Sequence, residues 1–65
     1  MDNIKVGEKL KETRGDMPRE VVAEALGISL SALAMYERGE RTPRDEIKIK
    51  IASYYGKTVQ ELFYA

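Results

Sequence analysis

The stretch Arg19-Glu20-Val21-Val22-Ala23-Glu24-Ala25-Leu26-Gly27-Ile28-Ser29-Leu30-Ser31-Ala32-Leu33-Ala34-Met35-Tyr36-Glu37-Arg38 decides the fold. It reads as two short helices joined by a tight turn. Ala23 is small enough to let two helices approach closely, and Gly27 permits the left-handed backbone that ends the first helix. After Ile28, the Ser29 hydroxyl is placed to accept from free backbone N–H groups and so start the second helix, about Leu30 to Arg38. Ile28, Leu33 and Tyr36 then pin that helix against the first and leave its outer face open, the geometry that lets a helix enter a DNA major groove. Taken alone, the Ala and Gly positions equally suit an ordinary helix pair in a bundle.

Upstream of this stretch, Pro18 suits the first turn of a helix, where its missing N–H leaves no bond unmade, and Glu20 favours the positive end of the dipole. The second helix is therefore expected from about Pro18 to Leu26. Val6, Leu10 and the Thr13/Arg14 pair share one face of an earlier helix, about Ile4 to Arg14, that stops at Gly15-Asp16. Downstream, Thr42 as cap, Pro43 in the first turn and acidic Asp45-Glu46 predict a fourth helix from Pro43 to Tyr55, with Ile47, Ile51 and Tyr54/Tyr55 inward. Gly56 ends it, and Thr58-Val59-Gln60-Glu61 has the capping-box pattern for a short last helix reaching Leu62-Phe63. These signals predict one all-α domain of five helices spanning residues 1–65.

With 65 residues the chain has room for one modest core and none for a separate catalytic domain. It contains no cysteine and no histidine, so thiolate and imidazole metal ligands and the usual acid-base side chain are missing. There is also no Gly-rich phosphate loop and no convincing nucleophile-base arrangement. The expectation is a protein that is not an enzyme and needs no metal or cofactor. No run approaches the roughly 20 apolar residues of a membrane span, and Met1-Asp2-Asn3-Ile4 lacks the basic and apolar regions of a signal peptide, so a cytoplasmic chain with no membrane partner is expected. Lys plus Arg and Asp plus Glu each total 11, so any DNA-binding face must come from how charges are distributed.

Beyond the helix-turn-helix segment, Val6-Gly7, Leu10 and Arg14 precede Glu20-Val21-Val22-Ala23 and Leu26-Gly27-Ile28-Ser29. Leu33, Tyr36-Glu37-Arg38-Gly39, Pro43, Ala52, and Val59 with Leu62-Phe63 follow in order. Together these residues resemble the Cro-type, or XRE-family, helix-turn-helix regulators, which include the lambdoid phage repressors. The resemblance covers nearly the whole chain. It implies a compact five-helix lambda-repressor-like DNA-binding domain with helix three as recognition helix, and a homodimer through the C-terminal helix on a two-fold-related operator. It also implies that Leu30, Ser31 and Met35 face the bases, with Ser29 at the start of the same helix and Ala32 and Ala34 near the DNA.

By the same resemblance, Arg19 stands where the family usually has a glutamine that contacts phosphate and braces the recognition helix. Arg38-Gly39-Glu40-Arg41-Thr42 corresponds to a phosphate-contacting segment, which makes Arg38, Arg41, Thr42 and Arg44 candidates, and Arg14 with Glu37 is expected to tie helix one to helix three. The sequence departs from the family in its short Arg14-to-Met17 connection, in Pro18 where Ser or Thr is usual, and in the apolar Leu30, Ala32, Ala34 and Met35. Polar side chains there would form directional bonds to base edges, whereas apolar ones contact thymine methyls and leave selectivity to DNA shape.

The expected function is a DNA-binding transcription regulator, a repressor acting on double-stranded DNA by operator occupancy. The alternative keeps the fold but uses the apolar surface of Leu30, Ala32 and Met35 to bind a protein partner. Arg38, Arg41 and Arg44 would then be a solubilising surface. Tyr54, Tyr55, Leu62, Phe63 and Tyr64 serve either the core or a dimer interface.

Overall fold

Helix α1 (Asn3–Arg14) begins one residue before its expected start, because the Asp2 carboxylate accepts from the N–H groups of Ile4 and Lys5 and caps it. The computed structural model describes residues 2–65; Met1, the first residue of the stretch read for a targeting signal, lies outside the described residues. The short connection that follows is closed on itself: the Met17 N–H donates to the Arg14 carbonyl at 3.2 Å, and Arg14 Nη1 donates back to the Met17 carbonyl at 2.6 Å.

Helix α2 (Arg19–Leu26) starts one residue later than expected. Pro18, placed by its sequence signal in the first turn, has extended backbone and caps the helix from outside through its carbonyl, which accepts from Val21 and Val22. Helix α3 (Leu30–Glu37) opens as read, with Ser29 Oγ accepting from the Ala32 N–H at 3.0 Å, and leaves Arg38 just past its end.

Helix α4 (Asp45–Tyr55) corrects the expected start at Pro43. The Thr42 hydroxyl does not cap it; it donates to Asn3 Oδ1 at 2.8 Å, across the chain to the first turn of α1. Pro43 is buried in the loop, and the helix begins with acidic Asp45 and Glu46 at its positive end. The capping box of the last segment forms in both directions, Thr58 Oγ1 accepting from the Glu61 N–H and Glu61 Oε1 from the Thr58 N–H at 3.0 Å each. It leads into α5 (Gln60–Tyr64), a single turn of π type. The five helices and the lack of any strand among the described residues make the fold all-α, and no described helix is long and apolar enough to cross a membrane.

Leu10, Val22, Leu33 and Ile51 are the largest fully buried side chains, one from each of the first four helices, and Leu62 and Phe63 of α5 close the core from below. The inward face of α4 differs from its periodicity. Tyr54 is exposed, and Lys48 turns in instead, its Nζ 5.7 Å from the Phe63 ring centre, 5.0 Å from that of Tyr64, and donating to Tyr64 Oη at 2.8 Å. A lysine stem covers apolar surface well, and its ammonium is attracted by aromatic faces, so the last turn is held by a charged residue.

Two features fix the precision of the packing. Gly7 of α1 lies against the end of α3 so closely that a Cβ there would sit 2.5 Å from the Glu37 carbonyl oxygen and 2.8 Å from that of Tyr36. Tyr55 is half-buried, with its Oη inside and without a partner. Burial pushes the phenol up to about 12, so it stays neutral. Gly7→Ala is expected to destabilise by about 2 kcal/mol or more, since backbone must yield. Tyr55→Phe removes an unbonded hydroxyl and is expected to change stability by about 0.5 kcal/mol at most, or to raise it. Urea denaturation of the two variants checks both.

Candidate nucleic-acid interface

The turn between α2 and α3 follows from its residues. Gly27 takes φ 70° and ψ 30°, its N–H donates to the Glu24 carbonyl, and the Ile28 N–H reaches back to the Ala23 carbonyl at 3.0 Å. Ile28 then packs on the core, which sets α3 across α2. Between the start of α2 and the outer face of α3 lies an open depression of about 710 Å³.

Five of the residues expected at the DNA line this depression: Arg19, Leu30, Ser31, Met35 and Arg38. Ala34 lies on the same wall. Ser29 is occupied in capping α3, and Arg41, Thr42 and Arg44 are exposed on the loop that follows, outside the depression, with the Thr42 hydroxyl turned to Asn3. Ala32 is partly buried against the core and is not among the residues that line the depression. Two further lining residues were not among the sequence-based candidates, Arg14 and Glu20. Glu20 follows Arg19 at the N-terminus of α2, and that adjacency was the available signal. Its carboxylate suits an exocyclic amine on a base edge and repels phosphate.

The charges of the interface are organised around Glu37, whose side chain is only 1% exposed. Arg14 grips it with both edges of its fork, Nε to Oε2 at 2.8 Å and Nη2 to Oε1 at 3.2 Å, and Arg19 Nε adds a third bond to Oε1 at 2.9 Å. Arg19 retains 34% side-chain exposure, so it braces Glu37 with one edge while its outer part lines the depression. Two guanidiniums about one carboxylate leave one positive charge in the cluster, which the Glu20 carboxylate on the rim of the depression offsets. Burial alone would push the Glu37 carboxyl up; the bonds from Arg14 and Arg19 outweigh it and hold the group below its ordinary value. Arg38 pairs with Glu40, whereas Arg41 and Arg44 make no ion pair among the described residues. No cluster of three or more acidic side chains that could hold a metal is present among those residues either.

Comparison with known proteins agrees with this geometry. A helix-turn-helix family model matches residues 8–62, from within α1 to within α5. Among solved structures, the crystal structure of the restriction-modification controller protein C.AhdI from Aeromonas hydrophila is similar, with a TM-score of 0.87 at 30% identity, over 95% of this chain and 97% of that one. No curated protein matches the chain.

The Glu37 cluster carries a pH signature. Because its carboxyl titrates lower when folded than when unfolded, the ion cluster contributes stability that is present above about pH 4.5, where the unfolded group is ionised, and is lost as pH falls through the lower folded value. Glu37→Gln is expected to flatten the acid side of the stability profile and to lower stability at neutral pH by about 2 to 4 kcal/mol, since two guanidiniums lose their counter-ion. Thermal melts of both proteins between neutral pH and the acid limb read this out.

Proposed function

This chain belongs to the XRE family of helix-turn-helix DNA-binding transcription regulators, and we propose that within it the protein is a repressor that occupies operator DNA as a homodimer. The observation that carries the reading is the placement of Arg19, Ser31, Met35 and Arg38 around one open depression on the outer face of α3, with exposed Arg41 and Arg44 on the loop just beyond. α3 enters the major groove, where Ser31 bonds a base edge and Leu30 and Met35 meet thymine methyls. Arg19, Arg38, Arg41 and Arg44 hold the phosphates, with Ser29 and Thr42 beside them, and those contacts set register.

The second copy joins at the C-terminal end. Leu62 and Phe63 are used in the protomer's own core, while Tyr64 of α5 and Ile49 and Tyr54 of α4 keep 50%, 61% and 38% exposure, apolar surface that a symmetric partner would cover. Half-sites about one helical turn apart fit that symmetry. The protein acts by binding alone, without catalysis, metal or cofactor, and works in the cytoplasm.

A second reading is favoured by Leu30, 45% exposed at the start of α3: the same face would then receive a protein partner. The two readings separate by mutation. In a fluorescence titration, wild-type dimer in which the four arginines of each protomer take one phosphate each is expected to give a salt slope near −7, by the rule of about 0.9 per phosphate. Arg41→Ala combined with Arg44→Ala is expected to weaken binding to every duplex and to reduce the slope by about 4. A slope near zero for wild type rejects DNA binding, and loss of a protein complex on Leu30→Asp supports the alternative. Sequencing duplexes retained from a randomised library tests dimeric use, which an enriched palindrome supports.

A further inference from the structure

Arg38, just past the end of α3, is held by an acidic neighbour two residues on. Past Glu37 the backbone reverses: the Arg38 N–H still donates to the Ala34 carbonyl, Gly39 takes φ 74°, and the Glu40 N–H returns to the Met35 carbonyl at 2.9 Å. This wrap anchors Glu40 beneath the last turn of the helix and sends its carboxylate back to Arg38. Two parallel bonds result, Arg38 Nε to Glu40 Oε2 at 2.8 Å and Arg38 Nη2 to Glu40 Oε1 at 3.1 Å. A guanidinium presents the same two-donor fork to the oxygens of a phosphate.

We propose that Glu40 is an internal phosphate mimic, which keeps Arg38 neutralised until a DNA phosphate, correctly placed against α3, takes the fork from it. The inference rests on the DNA-binding reading above. Arg38 lines the depression beside Ser31 and Met35, so the fork Glu40 occupies belongs to a residue of the interface. Both side chains are just over half exposed, so the exchange needs no unpacking of the core. It replaces one anionic oxygen pair by another on the same guanidinium, a nearly balanced step that yields contact energy only when the phosphate meets both donors. A loosely seated duplex leaves the pair closed and gains nothing from Arg38. Glu40, released, is also a negative charge beside the DNA backbone. Glu40 therefore weakens binding to DNA of arbitrary sequence and makes Arg38 a conditional contact.

The test is a double-mutant cycle on the full chain, with a labelled duplex of random sequence as the probe at low salt. Wild type, Glu40→Gln, Arg38→Ala and the double variant are compared, with circular dichroism to confirm that each is folded. Glu40→Gln is expected to bind about threefold more tightly than wild type for each protomer engaged, the range of an exposed ion pair. In the Arg38→Ala background the same substitution is expected to have a much smaller effect. An equal gain in both backgrounds would mean that Glu40 only repels phosphate from a distance and overturns the proposal, as does no gain in either. The pair is also read without DNA, by a carboxyl titration in which Glu40 must shift upward in Arg38→Ala. If wild type binds no duplex, the DNA-binding reading and this inference both fall. If it binds and the cycle gives no coupling, this inference alone falls.

Discussion

The carboxylate of Glu37, enclosed at the end of α3, is the constraint on which the other elements depend. A buried charge without a partner is strongly unfavourable, so the chain must bring Arg14 from α1 and Arg19 from the start of α2 to the same point. Three helices are thereby fixed at one anion. The backbone reinforces what the side chains impose, because Gly7 lets α1 lie directly on the carbonyl oxygens of Tyr36 and Glu37. At its other end α3 is fixed by the turn at Gly27 and the cap at Ser29. The helix that faces outward is thus held at both tips and along its inner side, and its outer side is left without a structural task.

Acidic and basic residues are equal in number, so positive charge beside α3 is a matter of placement and not of excess. Much of the charge is consumed internally: Glu37 takes two arginines, Glu40 takes Arg38, and Lys48 lies under the rings of α5. Near α3 the cationic groups left for a ligand are the outer part of Arg19 and the exposed Arg41 and Arg44, with the Glu20 carboxylate among them on the rim.

The parts of the structure legible in the sequence are those governed by neighbours along the chain. Gly27 with Ile28 and Ser29 forms the turn, and Thr58 with Glu61 forms the capping box, because each bond closes within a few residues. The misread parts depend on partners far away. Thr42 looks like a cap until Asn3 competes for its hydroxyl, and Tyr54 looks inward until Lys48 turns in against Phe63 and Tyr64. Of the site, the α3 face was legible from the turn and the family resemblance. Glu20 on its rim and the third bond from Arg19 to Glu37 were not, because both follow from how α2 meets α3 in space.

The division of labour along α3 has an evolutionary consequence. Leu33, Tyr36 and Glu37 hold the helix, whereas Leu30 and Ser31 are exposed and use their side chains for no hydrogen bond among the described residues. Substitutions at such surface positions usually change stability little. On the proposed reading, in which these two side chains face the bases, a lineage carrying this scaffold is free to drift at positions 30 and 31 and acquire a new target while its folding is unaltered. Drift at position 7 or 37 would be eliminated before any change of target could be tried.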